Sequence, residues 1–368
     1  AECFREPATY YMLTADKQML HASYNVQQLI RRTFGQVPGG MFGADENARM
    51  GYIDPRQGVE TCGMVEQMAS DEIMLRFTGD PMWAENCEDV AFNSYPAAVM
   101  PDFKALRYIT APNMVQSDSE NHRPGIDNGG PFLAMNPFSS RCCQHNHTQG
   151  WPYYSENLVY ATPDDGMAFV LYAACSATVK ETTNYPFDDT VQLSFTKGTA
   201  CRFPLYLRIP SWSDGAEVTV NGVPAEVAPI SGRYYRIERQ WRKGDSVTLH
   251  LHPRLTMRRW QVNQNSVSVN YGPLTLSLDI KERYVMRDSK ATAIGDSKWQ
   301  KGADASKWPT TEIYADSPWN YSLYIDEAAP LKDIELVARP WPADDFPWTQ
   351  KSVPYTFKAK GRRVPSWT

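Results

Sequence analysis

The apolar residues change their spacing once along the chain, close to Asp164-Asp165-Gly166. Before that turn they recur at three and four residues; after it they alternate. A 3.6-residue period places apolar side chains on one helix face, and a two-residue period places them on one sheet face. One regular layer cannot satisfy both. The chain is therefore expected to be multidomain, helical over 1–162, a β-sandwich over 163–285 and a second β-rich region over 286–368. A length of 368 residues agrees, at about 150 residues per domain.

The helical part has clear punctuation. Asp16 can cap a helix running to about Phe34, with Leu20, Tyr24, Val26, Leu29 and Ile30 on its apolar side. Pro38-Gly39-Gly40 ends it. A second helix runs from near Val59 to about Arg76, using Val65, Met68, Ile73 and Leu75. Thr78-Gly79-Asp80-Pro81 breaks it and starts a third, because Asp80 can cap and Pro81 suits the first helical position. That helix carries Trp83, Val90 and Phe92 and should stop before Pro96. Residues 96–150 are rich in Pro, Gly and Asn and read as long ordered loops. A last helix is expected over Trp151–Tyr160. In the second part, Phe169, Leu171 and Ala173 alternate, as do Leu205, Leu207 and Ile209, and Val247, Leu249 and Leu251. Val218 and Val220 lead into Asn221-Gly222, a hairpin turn signal. The stretch 286–368 is rich in Trp and Pro and reads as β or irregular.

Apolar residues at 42% and charged residues at 21% describe a chain with a folded core. The net charge is −5 without a basic block, which points away from nucleic acid and from anionic membranes. No apolar run approaches the roughly 20 residues needed to span a bilayer. The 11 Trp and 20 Tyr suit surfaces that stack on sugars, and aromatic cores equally. The chain opens at Ala1 within a helical pattern and closes abruptly after Val364-Pro365-Ser366-Trp367, so both ends read as cut.

Seven Cys are too few, and too scattered, for a disulfide scaffold. Cys3, Cys87, Cys175 and Cys201 read as small buried apolar residues. Cys142 and Cys143 are different because they are adjacent. Neighbouring Cys rarely bond to each other, since the ring strains the peptide between them, so metal, redox chemistry or chance remain. Three segments stand out: Gly39-Gly40-Met41-Phe42-Gly43-Ala44-Asp45-Glu46, Glu60-Thr61-Cys62, and Arg141-Cys142-Cys143-Gln144-His145-Asn146. The last two offer one carboxylate and three thiols, a donor set that zinc takes tetrahedrally. Glu60 and Cys62 do not share a helix face, but they can converge just before or in a first helical turn. Cys142 and Cys143 are expected to reach one ion only from an irregular loop. The residues alone stop at a candidate zinc–thiolate site.

These segments resemble those of glycoside hydrolase family 127, the β-L-arabinofuranosidases once grouped as a domain of unknown function. Glu60-Thr61-Cys62 is similar to the family's Glu-Thr-Cys, and Cys142-Cys143 to its Cys pair, with Asn146 following. Leu205-Tyr206-Leu207-Arg208-Ile209-Pro210 before Trp212, Val220-Asn221-Gly222, Trp241 through Gly244-Asp245, and Tyr271-Gly272-Pro273 continue the likeness in order. The resemblance implies an (α/α)6 barrel followed by β-sandwich domains. This chain supplies about half of the twelve helices, which implies the C-terminal part of the barrel. It also implies Zn2+ held by Glu60, Cys62, Cys142 and Cys143, with Cys142 as nucleophile and Glu46 as acid/base. Asp45 stands beside Glu46 as the competing carboxylate. Tyr108 falls where the family places a Tyr near the nucleophile, and Asp45, Tyr108 and His145 are the expected substrate contacts. Gln144-His145 replaces the arabinofuranosidases' Pro-Pro, so His145 or His147 is a candidate for contacting a different sugar. The implied partner is a carbohydrate from plant cell-wall side chains, met in the periplasm or outside the cell. The competing readings are a zinc-stabilised glycan-binding scaffold, a hydrolase of another pectic sugar, and redox chemistry at the Cys pair.

Overall fold

A computed structural model describes residues 2–40, 42, 44–48, 50–51, 54–123, 126, 134–135 (backbone), 142–176, 178–288, 304–326, 328–329 and 331–367. Seven α-helices lie among them: α1 (Glu6–Thr14), α2 (Lys17–Phe34), α3 (Thr61–Thr78), α4 (Pro81–Asp89), α5 (Tyr95–Ala97), α6 (Cys142–His147) and α7 (Gly150–Glu156). Short strands β1 (Val59–Glu60), β2 (Leu106–Arg107), β3 (Ile109–Thr110) and β4 (Ala134–Met135) connect them. The capping signals act as their chemistry predicts. Asp16 accepts from the Gln18 amide at 2.9 Å and Asp80 from the Met82 amide at 3.0 Å, each filling an orphan donor of the helix it starts. Asp80 also takes the Tyr24 hydroxyl at 3.1 Å, which ties α2 to the start of α4. On α2 itself Leu29 is exposed, while Ser23 and Gln27 are buried, so its apolar stripe is narrower than the spacing suggested.

α3 is the centre of this part. Its buried residues run from Thr61 to Leu75 and include Met64, Val65, Met68 and Met74 together with Gln67, Asp71 and Glu72. Neighbours therefore enclose it on most of its circumference, and it is no one-sided amphipathic helix. Trp83 of α4 is fully buried and stacks on Phe4 at 5.6 Å. The chain does not stop before Pro96. α4 widens into a π-helical turn, Val90–Ser94, and continues as α5 through the proline. Pro96 has no N–H and would clash with the carbonyl four residues back in a regular helix; the wider turn, with the Tyr95 amide on the Val90 carbonyl, accommodates it. α7 ends earlier than expected. The Asn157 side chain turns back to the Tyr153 carbonyl at 2.7 Å, and Val159–Ala161 becomes a strand.

The β-rich part opens with β5 (Val159–Ala161), β6 (Met167–Phe169), β7 (Cys175–Ser176), β8 (Val179–Thr182) and β9 (Thr190–Phe195). It continues through β10 (Cys201–Ile209), β11 (Ser213–Val220), β12 (Val223–Pro224), β13 (Arg233–Trp241) and β14 (Ser246–Pro253). They form a four-stranded sheet, β13-β10-β6-β5, and a six-stranded sheet, β12-β11-β14-β9-β8-β7. The alternating residues Leu205, Leu207 and Ile209 of one sheet and Val247, Leu249 and Leu251 of the other are all buried, in the same hydrophobic cluster as Trp83 and Leu75. The Phe169–Ala173 alternation yields a strand only to Phe169; Val170, Leu171 and Tyr172 are buried without alternating. Asn221 and Gly222 both have positive φ, 52° and 77°, and join Val220 to its partner Val223 as a primed hairpin turn. Beyond lie β15 (Leu255–Trp260), β16 (Ser266–Tyr271) and β17 (Leu274–Thr275) in one sheet. Two-stranded ladders follow from β18 (Glu282–Arg287), β19 (Thr310–Ala315), β20 (Tyr321–Leu323), β21 (Glu335–Ala338), β22 (Tyr355–Lys358) and β23 (Gly361–Arg363).

Helices and sheets are joined along one face of α4. Glu88 is buried against the fully buried guanidinium of Arg208, and it accepts from the Tyr185 hydroxyl at 2.8 Å. Glu85 accepts from the Ser211 amide at 2.7 Å, and Asp89 pairs with Arg258 at 2.5 Å. Positions 85, 88 and 89 share a face because helical neighbours lie three and four apart.

Candidate metal centre

β1 carries the chain to Glu60, and α3 begins at the next residue. Glu60 is the extended cap residue of α3, and its side chain makes no capping bond. Its Oε1 lies 3.4 Å from Cys142 Sγ and 3.5 Å from Cys143 Sγ instead. Cys62 sits in the first turn of α3, with its Sγ 3.3 Å from Cys142 Sγ and 3.4 Å from Cys143 Sγ. The strand-to-helix junction thus brings residues two apart to one point, as the spacing allowed. The junction is held by the strand-like pairing of Val59 and Glu60 with Thr110 and Ile109. The Thr61 amide adds a bond to the Tyr108 carbonyl at 3.0 Å, and the Thr61 hydroxyl one to the Arg107 carbonyl at 2.7 Å. The Cys pair corrects the sequence expectation. Cys142 and Cys143 are the first residues of the helix α6, which packs against α3, and do not lie in an irregular loop. At a helix start two successive side chains, about 100° apart around the axis, can bracket an ion placed off the helix end.

The four donor atoms lie within 4.8 Å of one another, the one such group of His, Cys, Asp or Glu among the described residues. A tetrahedral zinc with Zn–S of about 2.3 Å separates its ligand atoms by roughly 3.8 Å. The sulfur–sulfur separations of 3.3 and 3.4 Å are a few tenths shorter, and the sulfur–oxygen separations of 3.4 and 3.5 Å match the roughly 3.5 Å expected with Zn–O of about 2.0 Å, so the donor set fits a small divalent ion. The cluster could hold a metal ion. Cys143 is buried, Cys62 partly so, and Cys142 is exposed. Burial, then the hydrogen bond with Cys62, pushes the Cys142 thiol up to about 12; the Cys62 thiol is raised further by its bond to Cys143 and by burial. Cys62 and Cys142 therefore hold their protons unless a cation neutralises them, and a coordinated divalent ion reverses this preference.

The other candidates converge on the same place to different degrees. The Glu60 amide donates to the Ala44 carbonyl at 2.9 Å, so Asp45 and Glu46 follow directly on a residue bonded to the cluster. Asp45 is buried, close to Gly58, where an added Cβ would lie 3.4 Å from the Asp45 Cβ. Glu46 is exposed and holds a φ of 90°, a conformation that costs a non-glycine residue energy and recurs at functional sites. Met41, Gly43 and Arg141, parts of the same motifs, lie outside the described residues. Tyr108 is buried, and its carbonyl is 4.0 Å from Cys143 Sγ. His145 is exposed on α6, one turn beyond Cys142. His147 turns inward: its ring stacks on Tyr95 at 4.4 Å, and burial lowers its pKa, so it packs the helix. Among the remaining thiols only Cys87 is fully buried; Cys175 is partly covered, and Cys3 and Cys201 are exposed, against expectation. Cys3 lies in the turn before α1, and Cys201 lies at the start of β10, beyond the stretch that pairs with β6. The sequence reading missed Gln67, a polar residue within the apolar pattern of the second helix, which donates to the Gly40 carbonyl at 2.8 Å.

The chain matches the family model for the β-L-arabinofuranosidase catalytic domain of glycoside hydrolase family 127 over residues 1–156, and the model for that family's middle domain over residues 168–253. No curated protein matches it. Among solved structures it is similar to a glycoside hydrolase, with TM-score 0.62 and 22% identity over 74% of this chain and 50% of the other. A family 127 β-L-arabinofuranosidase from Geobacillus stearothermophilus T6 gives TM-score 0.62 and 18% identity, covering 84% of this chain and 56% of its own. A family 127 β-arabinofuranosidase gives 0.60 and 16%, covering 89% and 54%. The chain spans about half the length of these structures, and at these identities the likeness is one of fold.

Proposed function

Because the chain belongs to glycoside hydrolase family 127, we propose that the protein is a retaining hydrolase of L-arabinofuranosides or related furanosides of plant cell-wall side chains. The observation that carries this reading is the convergence of Glu60, Cys62, Cys142 and Cys143, with the Glu46 segment hydrogen-bonded to Glu60. Those four residues would hold a zinc ion, whose charge would keep Cys142 as a thiolate at neutral pH. Cys142 is the exposed member of the set and the one a substrate can reach. Its sulfur attacks the anomeric carbon as Glu46 gives a proton to the leaving oxygen, forming a thioglycosyl enzyme. Glu46 then takes a proton from water, and the hydroxide releases the sugar. Exposure favours Glu46 over the buried Asp45 for a group that must meet both leaving group and water. The same membership supports reading the helices as the C-terminal part of an (α/α)6 barrel, with the two larger sheets as a β-sandwich. The domain limits proposed are 1–162, 163–285 and 286–368, with Tyr108 and His145 near the sugar. Metal analysis and a screen of aryl L-furanosides on the full-length protein test the proposal together. Zinc with turnover supports it; zinc without turnover favours a glycan-binding scaffold; thiols without metal favour redox chemistry.

A further inference from the structure

The segment that carries Asp45 and Glu46 begins at a glycine turn tied down from three directions. Gly39 and Gly40 both take left-handed angles, φ 79° and 73°. A Cβ on Gly40 would lie 2.9 Å from Val90 Cγ2 and 3.0 Å from the Val90 amide nitrogen, so the turn is pressed against the helix where it widens. The Gly39 carbonyl accepts from the Ser94 hydroxyl at 2.9 Å. The Gly40 carbonyl accepts two bonds, from Arg31 Nη1 and from Gln67 Nε2, each at 2.8 Å. The Arg31 guanidinium also lies over the Phe42 ring, 4.5 Å from its centroid. The chain of contacts continues to the cluster. The Ala44 amide donates to the Phe42 carbonyl at 2.8 Å, and the Glu60 amide to the Ala44 carbonyl at 2.9 Å.

Gln67 is buried, with 1% exposure, on α3. A buried amide has to be satisfied, and this one bonds a carbonyl of the Glu46 segment. Cys62 stands five residues earlier on the same helix, about one and a half turns away. One rigid element therefore carries a cluster residue at its start and a hook for the opposing carboxylate further along.

We infer that Gln67 and Arg31 are positioning residues that hold the Gly40 carbonyl and so set where Glu46 stands relative to Cys142. The inference rests on the roles proposed above for those two residues. Both would act through the Gly40 carbonyl, which they bond, and not on the substrate. Together they fill both lone pairs of one carbonyl, and losing either leaves that carbonyl on a single tether.

The test uses Gln67→Leu in the full-length protein, with Gln67→Met as a second variant in case the branched side chain disturbs α3. Pre-steady-state aglycone release is measured from two L-arabinofuranosides, one with an acidic phenol and one with a poorly departing alcohol. A displaced acid slows the second selectively, because an acidic phenol leaves without a proton. Release of the poor leaving group should fall about tenfold to a hundredfold and release of the acidic phenol less than about threefold, with metal content unchanged. Arg31→Met should act in the same direction, and Arg31→Lys, which keeps a donor, should lose less. Amide exchange at Glu60 should quicken while exchange at Thr61, bonded to the Tyr108 carbonyl, stays slow. Equal losses on both substrates, or unchanged exchange at Glu60, overturn the inference. If the wild-type protein releases neither aglycone, the hydrolase reading fails, and Glu60 exchange then decides the positioning claim: faster exchange upholds it and unchanged exchange refutes it.

Discussion

Cys142 and Cys143 are neighbours in sequence but differ in what surrounds them. Cys143 is buried among Leu106, Tyr108, Ile109 and Ile126, whereas Cys142 is exposed. One can serve as a ligand, and the other can serve as a ligand and still meet a substrate. Cys142→Ser should lower turnover by about 10³-fold or more, because a hydroxyl is a far weaker nucleophile and a poor zinc ligand. Glu46→Gln should cost about 10²–10⁴-fold, the usual worth of a general acid–base group. The two variants should part company on a substrate with an acidic phenol. Glu46→Gln should accumulate a sugar on Cys142, visible by mass spectrometry of the intact protein, and Cys142→Ser should not. A sugar on Glu46, or a deeper loss in Asp45→Asn than in Glu46→Gln, would reassign the roles.

At the scale of the element, α3 shows what enclosure does to side chains. Glu72 is buried on it, accepts from Asn157 at 3.2 Å and from Cys87 at 3.5 Å, and burial raises its pKa to about 8. The folded chain therefore holds a proton on Glu72 that the unfolded chain releases near the ordinary carboxylate pKa of about 4.3. Between those values the native state binds more protons than the unfolded state, so this group's contribution to stability falls as pH rises from about 4.3 to 8. Glu72→Gln removes the titration and keeps an acceptor for Asn157. Its melting temperature should exceed that of the wild type at pH 8, and the gap should close towards pH 5. Thermal scans at both values check this; an equal gap at both would mean that Glu72 is not protonated in the fold.

Across the whole molecule, the contact between α4 and the sheets concentrates in a few charged groups. Arg208 is wholly buried: its Nε donates to the Val170 carbonyl at 2.6 Å, and its guanidinium pairs with Glu88. A buried charge left alone is costly, so Glu88→Ala should destabilise the protein by about 3–5 kcal/mol. Replacing both partners, with Glu88→Leu and Arg208→Met, should cost much less, since no charge is then stranded. Urea denaturation of the single and double variants measures the difference. A double variant as unstable as Glu88→Ala would show that the pair contributes more than the relief of an unpaired charge.

Local rules made several features legible before any coordinates. Asp16, Asp80 and Pro81 start helices because their side chains and fixed φ act within one turn. Asn221-Gly222 closes a hairpin for the same short-range reason. The adjacent Cys142 and Cys143, with Glu60 and Cys62, could be picked out as a possible zinc–thiolate donor set, and the likeness to a known family gave the three motifs their order and roles. What was not legible depended on distant neighbours. The continuation through Pro96 needs a π-turn whose Asn93 is engaged by Pro273 and Thr275. The end of α7 depends on Val159 finding a partner in Phe169. The helical start of Cys142 and Cys143 depends on α3, eighty residues earlier, presenting Cys62 to them. The polar interior of α3 breaks the apolar pattern where Gln67 meets the Gly40 carbonyl and Glu72 meets Asn157, partners that only the folded chain brings close. Hydrogen bonds and burial are settled by which atoms meet, and residues far apart in sequence meet only once the chain has closed.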